Sequence, residues 1–342
     1  VMIISYKCPN CGSDMAFDSE TGSLSCSSCG RQDNIESLPK ENIAARFSDD
    51  EAKEYQCENC GAVLITEAET TATTCSFCGG AAILADRLSG HLAPAKVIPF
   101  TISKQEAEQA FRKWCKKGLL TPRGFMSADR IKSITGMYIP FWMFDLNSEV
   151  QVRANCTRVH RYEEGDYICT ETEHFEAFRD INLDYLKIPV DASEKMKDEL
   201  MDKLEPYSYE ELKDFQTAYL AGYIAEKYNY TDEELFPRAK EKISSYIDSY
   251  IHSTFSGYTS VNVRDKHIHT KNVNSFYVLL PVWMVSYDYE RAEHIFAMNG
   301  QTGKVVGKPP ISRGKVAAWF SGIAGGTFLA LKLVSLMMGG GF

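Results

Sequence analysis

One cysteine pattern occurs twice in the first eighty residues, and it limits what this part of the chain can become. Cys8-Pro-Asn-Cys11 is followed, after fourteen residues, by Cys26-Ser-Ser-Cys29. Cys57-Glu-Asn-Cys60 is followed, after the same gap, by Cys75-Ser-Phe-Cys78, so the whole set recurs 49 positions on. A glycine follows the second cysteine of every pair: Gly12, Gly30, Gly61 and Gly79. A C-x-x-C turn puts two thiolates on one side of a knuckle, and glycine there relieves a tight, often left-handed bend. Two facing knuckles supply four sulfurs at tetrahedral positions, which suits Zn²⁺. Redox pairs or disulfides give no reason for duplication at identical spacing. The pattern predicts two zinc ribbons and two structural zinc ions, one held by Cys8, Cys11, Cys26 and Cys29, the other by Cys57, Cys60, Cys75 and Cys78.

Charge decides what such ribbons meet. Residues 1–90 hold six Lys/Arg against fourteen Asp/Glu, a formal −8 of the whole chain's −9. Each zinc with four thiolates adds −2, so the loaded region approaches −12. Nucleic-acid affinity rests on Lys/Arg neutralising phosphates, and this head repels a polyanion. The three remaining cysteines, Cys115, Cys156 and Cys169, form an odd set without disulfide logic, which places the folded part in a reducing compartment. The N-terminus lacks the charged-then-apolar order of a secretory signal.

Past an acidic stretch at 36–54 and the second ribbon, the chain has room for a sizeable α+β domain. Ser103 and Glu106 have capping-box spacing, and Ala107, Ala110, Phe111 and Trp114 fall on one face of the helix they open; Gly118 ends it. Residues 137–180 alternate as strands. From Asp191 to about Ser256 the pattern is helical, with capping-box spacings at Asp191/Glu194, Ser208/Glu211 and Thr231/Glu234, and a stripe of Ile243, Tyr246, Ile247, Tyr250 and Ile251. Strands return at 258–263, 268–273, 276–290 and 293–298, followed by the Asn299-Gly300 turn. An echo links two of these strands. Pro140-Phe-Trp142-Met143 reappears 141 residues later as Pro281-Val-Trp283-Met284, which predicts a pseudo-symmetric antiparallel sheet with the helices inserted between its halves.

Residues 316–338 are 23 in number with one charge, Lys332. At about 1.5 Å per residue they span roughly 34 Å as a helix, enough for a ~30 Å hydrocarbon core. Lys304, Lys308, Arg313 and Lys315 precede the stretch, which by the positive-inside rule leaves the bulk of the chain cytoplasmic. Trp319 sits where an interfacial aromatic belongs. Lys332, about 9 Å from the far end, snorkels or meets an acid of another membrane chain. Gly322 and Gly326 form a G-x-x-x-G that lets helices approach closely, leaving room for a homo- or hetero-oligomer. The expectation is a single-pass cell-membrane protein.

Catalytic signals are weak. Gly300-Gln-Thr-Gly303-Lys304 resembles the end of a phosphate loop, but Met298 stands where the first glycine should be and Val305 where Ser/Thr should hold Mg²⁺. A turn between strands explains it better. His267 and His269 alternate as on an exposed strand face. No nucleophile motif occurs, and four-thiolate zinc is coordinatively closed. The residues read as those of a protein that is not an enzyme.

Taken together, both ribbons, Ile139-Pro-Phe-Trp-Met-Phe-Asp145, Pro189-Val-Asp-Ala-Ser193, Ala218-Tyr-Leu-Ala-Gly222 and Asn299-Gly-Gln-Thr-Gly-Lys-Val-Val-Gly307 resemble a group of bacterial double zinc-ribbon proteins, often labelled TFIIB-type or primosomal-helicase-like. The resemblance implies a membrane-tethered component of an envelope-stress system, encoded beside a phage-shock-protein-A (PspA) homologue. It implies as partners a PspA-type membrane-remodelling protein and neighbouring membrane proteins. The expected architecture is therefore multi-domain: zinc ribbon 1 at 1–35, an acidic linker at 36–54, zinc ribbon 2 at 55–88, an α+β domain at 89–312 with an antiparallel sheet and a helical insertion at about 190–256, and one transmembrane helix at 316–338. The expected role is a membrane-anchored scaffold; the alternative is a nucleic-acid-binding zinc-ribbon regulator.

Overall fold

A computed structural model describes residues 3–4, 6–38, 53–56, 63–66, 70–74, 81–84, 94–116, 118, 120–122, 125, 131–194, 196–289 and 292–337. In chain order its elements are β1 (Ile3–Ile4), β2 (Met15–Asp18), β3 (Ser23–Cys26), β4 (Gln32–Asp33), β5 (Lys53–Gln56), β6 (Val63–Thr66), β7 (Thr70–Thr74), β8 (Ala81–Leu84), β9 (Lys96–Val97), α1 (Lys104–Lys116), β10 (Ile131–Glu164) and β11 (Tyr167–Asp191). They continue with α2 (Asp198–Leu204), β12 (Lys213–Asp214), β13 (Ile224–Glu226), α3 (Asp232–Ser253), β14 (Ser260–Tyr289), β15 (Ala292–Asn299), β16 (Val305–Val306) and α4 (Arg313–Met337). One sheet runs β1-β8-β7-β13-β10-β14-β15-β16; β11 also pairs with β10, and β9 with β14 and β12. The N-terminal ribbon is its own three-stranded sheet, β2-β3-β4, and β5 pairs with β6.

The echo of Pro140 and Pro281 is a structural two-fold. β10 and β14 run antiparallel with Tyr138 opposite Pro281 and Pro140 opposite Leu279. Adding 141 to Tyr138 and Pro140 gives Leu279 and Pro281, so the repeat exchanges the two pairs. The symmetry extends well beyond the two strands. β9 lies parallel to Val278 and Leu279 of β14, as β13 lies parallel to Met137 and Tyr138 of β10. Each is followed by a helix with a capping box, Ser103/Glu106 on α1 and Thr231/Glu234 on α3. The β10–β11 hairpin closes with Phe141 opposite Asp191, and the β14–β15 hairpin with Val282 opposite Asn299. Even single hydrogen bonds repeat: Trp142 Nε1 donates to the Tyr230 carbonyl at 2.9 Å, and Trp283 Nε1 to that of Ile102 at 3.0 Å. Ala192 N donates to Pro140 O and Gly300 N to Pro281 O; Asn229 N donates to Ala192 O and Thr101 N to Gly300 O. The body is thus two β-α-β-β units, β9-α1-β10-β11 and β13-α3-β14-β15, and each unit lends its first strand to the other's long strand.

This arrangement explains where the sequence pattern departs from the fold. Asp191/Glu194 is no helix start: Asp191 ends β11, and its Oδ1 accepts from Ser193 N at 3.1 Å, because the chain turns there to cross back. Ser208/Glu211 opens only a single 3-10 turn, Tyr209–Glu211, without a side-chain cap. The strands expected at 258–290 are one strand, since the register bends at bulges instead of breaking. On α3 the buried stripe is Leu235, Ala239, Ile243, Ile247 and Ile251, at a strict spacing of four. Tyr246 and Tyr250, expected on that stripe, are 65% and 48% exposed.

The two sheet faces carry different covers. On one face Val150, Val152, Ala154 and Cys156 of β10 pack with the α3 stripe, and Tyr138, Leu279, Trp283 and Phe296 pack with Phe111 of α1 and with the ribbon. On the other, Ile139, Phe141, Met143, Val278, Leu280 and Val282 bury Met201 and Leu204 of α2. α2 is clasped across the two-fold. Asn299 Nδ2 donates to Leu204 O at 3.1 Å, while Arg238 and Lys242 of α3 pair with Asp202 at 3.1 and 3.0 Å.

Candidate metal centre

The N-terminal cysteine cage is built from two knuckles of one design. Cys8 N donates to Ser13 O and Gly12 N back to Cys8 O, each at 2.8 Å. In the second, Cys26 N donates to Arg31 O at 2.8 Å and Gly30 N to Cys26 O at 2.9 Å. Gly12 and Gly30 take φ of 75° and 74°, the left-handed region that glycine enters without a Cβ penalty. The β2–β3 hairpin, with Met15 opposite Cys26, brings the knuckles face to face.

The four sulfurs of Cys8, Cys11, Cys26 and Cys29 all lie within 4.8 Å of one another, with Cys8–Cys29 and Cys11–Cys26 at 3.5 Å. A disulfide requires ~2.05 Å, whereas a tetrahedron of sulfurs about 2.3 Å from a zinc has edges of roughly 3.8 Å. The cage has the size of a metal ion, and this is a zinc-binding site. Its sulfurs differ in surroundings: Cys8 and Cys26 are buried, Cys11 and Cys29 exposed. Burial pushes the Cys8 thiol up to about 11. The hydroxyl and backbone amide of Ser13 hold Cys11 down at about 6, and the Arg31 amide lowers Cys29. Bringing all four to thiolate together needs a cation, which supplies attraction to each sulfur and releases the protons. Four protein ligands leave no open position, so the ion staples the fold and holds no reacting water.

The ribbon is fastened to the body, a feature that the spacing of its cysteines did not reveal. Phe17 of β2 is 5% exposed and packs its ring edge-on to Tyr219 with centroids 5.5 Å apart. Phe17 N donates to Ala221 O at 2.9 Å, and Tyr6 Oη bonds Thr217 Oγ1 at 2.6 Å. Tyr223 then stacks on Phe100 at 4.2 Å, filling the space over Gly136. Burying a Phe ring contributes about 2–3 kcal/mol. β1 adds to the sheet by pairing Ile3 with Leu84 of β8. The only sequence signal was Phe17 itself, an aromatic inside the metal knuckles' hairpin.

Cys57, Cys60, Cys75 and Cys78, expected to hold the second zinc, lie outside the described residues. The strands on either side of each pair are described: β5 pairs with β6 around the first, β7 with β8 around the second. β7 also pairs with β13, Ala72 opposite Ala225.

At the other end, α4 is long and apolar enough to cross a membrane by length and composition, with mean hydropathy 1.4 over Arg313–Val334, and none of that window is buried against the protein. Phe320, Phe328 and Leu331 are 74%, 65% and 70% exposed. Trp319, Gly322, Gly326 and Lys332 all lie on its exposed surface. A core helix of the body would instead be covered. The helix is tied at its start, where Lys315 Nζ donates to Thr121 O at 2.7 Å and Ser312 N to Leu120 O at 2.9 Å. His267 and His269 are exposed on β14, and Gly300–Lys304 form the turn between β15 and β16.

No solved structure matches the chain. A family model described as TFIIB zinc-binding matches residues 6–47, which span the first cage. The N-terminal segment is similar to TFIIB-type zinc ribbons, and its four-cysteine cluster carries that likeness.

Proposed function

We propose that the protein is a membrane-anchored zinc-ribbon scaffold, not an enzyme, that recruits a PspA-type protein to the cytoplasmic face of the cell membrane. The observation that carries the reading is α4: a 25-residue apolar helix whose Arg313–Val334 window is not buried by any of the described residues. Exposed apolar area of this extent favours a lipid environment. The closed cysteine cage and its packing against the body make the ribbon a fixed surface. The duplicated cysteine spacing supports a second structural zinc at Cys57, Cys60, Cys75 and Cys78. The acidic N-terminal region favours protein over nucleic acid as partner; the partner's identity comes from the family resemblance.

Deleting residues 313–342 tests this. The shortened chain should move from washed membranes to the soluble fraction, and a tagged PspA-type protein should lose its membrane localisation with it. A shortened chain that still sediments with washed membranes would defeat the anchor. A partner that stays in place would defeat the recruitment.

A further inference from the structure

Where the ribbon meets the body, the contact leaves a cleft of about 310 Å³. Phe17 of the ribbon, Phe100 and Tyr219 of the body, and Leu212 give it an apolar floor, and its rim carries Glu210, Glu211 and Lys213. The volume is within the range that receives a small ligand or one or two side chains. Its charges decide which. Lys213 is already engaged by Glu36 at 3.1 Å, and Glu211 accepts from Gln301 Nε2 at 2.6 Å. Glu210 is exposed and pairs with no cation among the described residues. The cleft therefore has a greasy floor under an acidic rim whose one lysine is neutralised.

We infer that this cleft is a docking site for a partner protein segment that carries a lysine or arginine beside an aliphatic or aromatic side chain. The apolar side chain enters between Phe17 and Leu212, and the cation faces Glu210 and Glu211, the two carboxylates on the cleft lining. An acidic segment is repelled by the same rim, which gives the surface its selectivity. Because Phe17, Ser19 and Gly22 of the lining belong to the ribbon, the site exists only while the metal holds β2 in place. Zinc thus becomes a condition of partner binding without touching the partner. The inference deepens the scaffold reading and rests on it for the claim that a partner exists.

The test uses the full chain in nanodiscs of zwitterionic phosphatidylcholine and two fluorescent octapeptides, one alternating Lys and Val, the other Glu and Val, with empty nanodiscs subtracted. The Lys–Val peptide should bind saturably and the Glu–Val peptide should not. The Glu210→Lys variant, one exposed surface change, should weaken binding about fivefold, from one lost and one repelled ion pair. Leu212→Ser should weaken it at unchanged rim charge. Equal binding of both peptides, or binding indifferent to Glu210→Lys, overturns the cleft. The anchor-deletion experiment is read separately: release from membranes with no peptide binding leaves the scaffold standing and removes only the docking site.

Discussion

Asp191 offers the sharpest test of the two-fold. It is 1% exposed, Oδ1 accepts from Ser193 N, and Oδ2 has no partner among the described residues. Its counterpart Asn299 sits in the same turn of the other unit, with Oδ1 accepting from Gln301 N and Thr302 N, both at 2.9 Å, and Nδ2 donating to Leu204 O. Burial raises the Asp191 carboxyl from 3.8 to about 7; Ser193 N and Arg238 oppose the shift, and Asp198 and Asp202 add to it. The folded state then holds a proton that the unfolded state gives up near pH 4. Stability falls as pH rises from about 4 to about 7, and the full penalty, roughly 4 kcal/mol, remains above that. Asp191→Asn removes the ionisable group and supplies the amide that the second unit already uses. Leaving that amide partly unsatisfied costs about 1–2 kcal/mol. The variant should gain about 2–3 kcal/mol at pH 8.5, and about 1.4 kcal/mol less than that at pH 6. Urea unfolding followed by tryptophan fluorescence at both pH values, with zinc in excess, measures the difference between the two chains and cancels every other titration. An unchanged difference across this range, or a variant weaker than the parent at pH 8.5, would refute the argument.

Two further predictions concern the metal and the packing. The purified chain should release two equivalents of zinc to a chromogenic chelator after thiol modification, and Cys26→Ser should release one; a parent value of one would remove the second site. Gly136→Ala should destabilise the body by about 1–3 kcal/mol, because an added Cβ would lie 2.6 Å from Tyr223 and 3.0 Å from Trp283. Calorimetry showing no loss of Tm would mean that Tyr223 moves aside freely.

Local rules were legible in the sequence where one segment satisfies them alone. The Thr231/Glu234 and Ser103/Glu106 boxes, the knuckle glycines and the β15–β16 turn need only neighbours within a few residues. Pro140 and Pro281 disclosed the paired strands because the repeat preserved identity there. The rest of the duplication was invisible: β9 and β13 are each two or three residues long, and their sequences share no motif. Asp191 illustrates the limit. Its spacing to Glu194 fits a helix cap, but β11 ends there because Ala192 N must reach Pro140 O. The ribbon's fastening was equally hidden, since Phe17, Tyr219 and Tyr223 look like ordinary core residues until the tertiary fold brings them together.

The exchange of β9 and β13 bears on how the chain can be made. β9 finds its parallel neighbour at Val278 and Leu279, some 180 residues downstream. Neither half can finish its sheet from its own residues, so an N-terminal unit emerging from the ribosome waits with an open strand position until β14 arrives. Contacts of such separation form late and slowly. By then only β15 and β16 separate the growing chain from α4, and the body closes only as its apolar helix approaches the exit. For the anchored protein proposed above, assembly and delivery to lipid are thereby compressed into one interval, and a chain broken between Ser253 and Ser260 should regain its body only when both fragments are present.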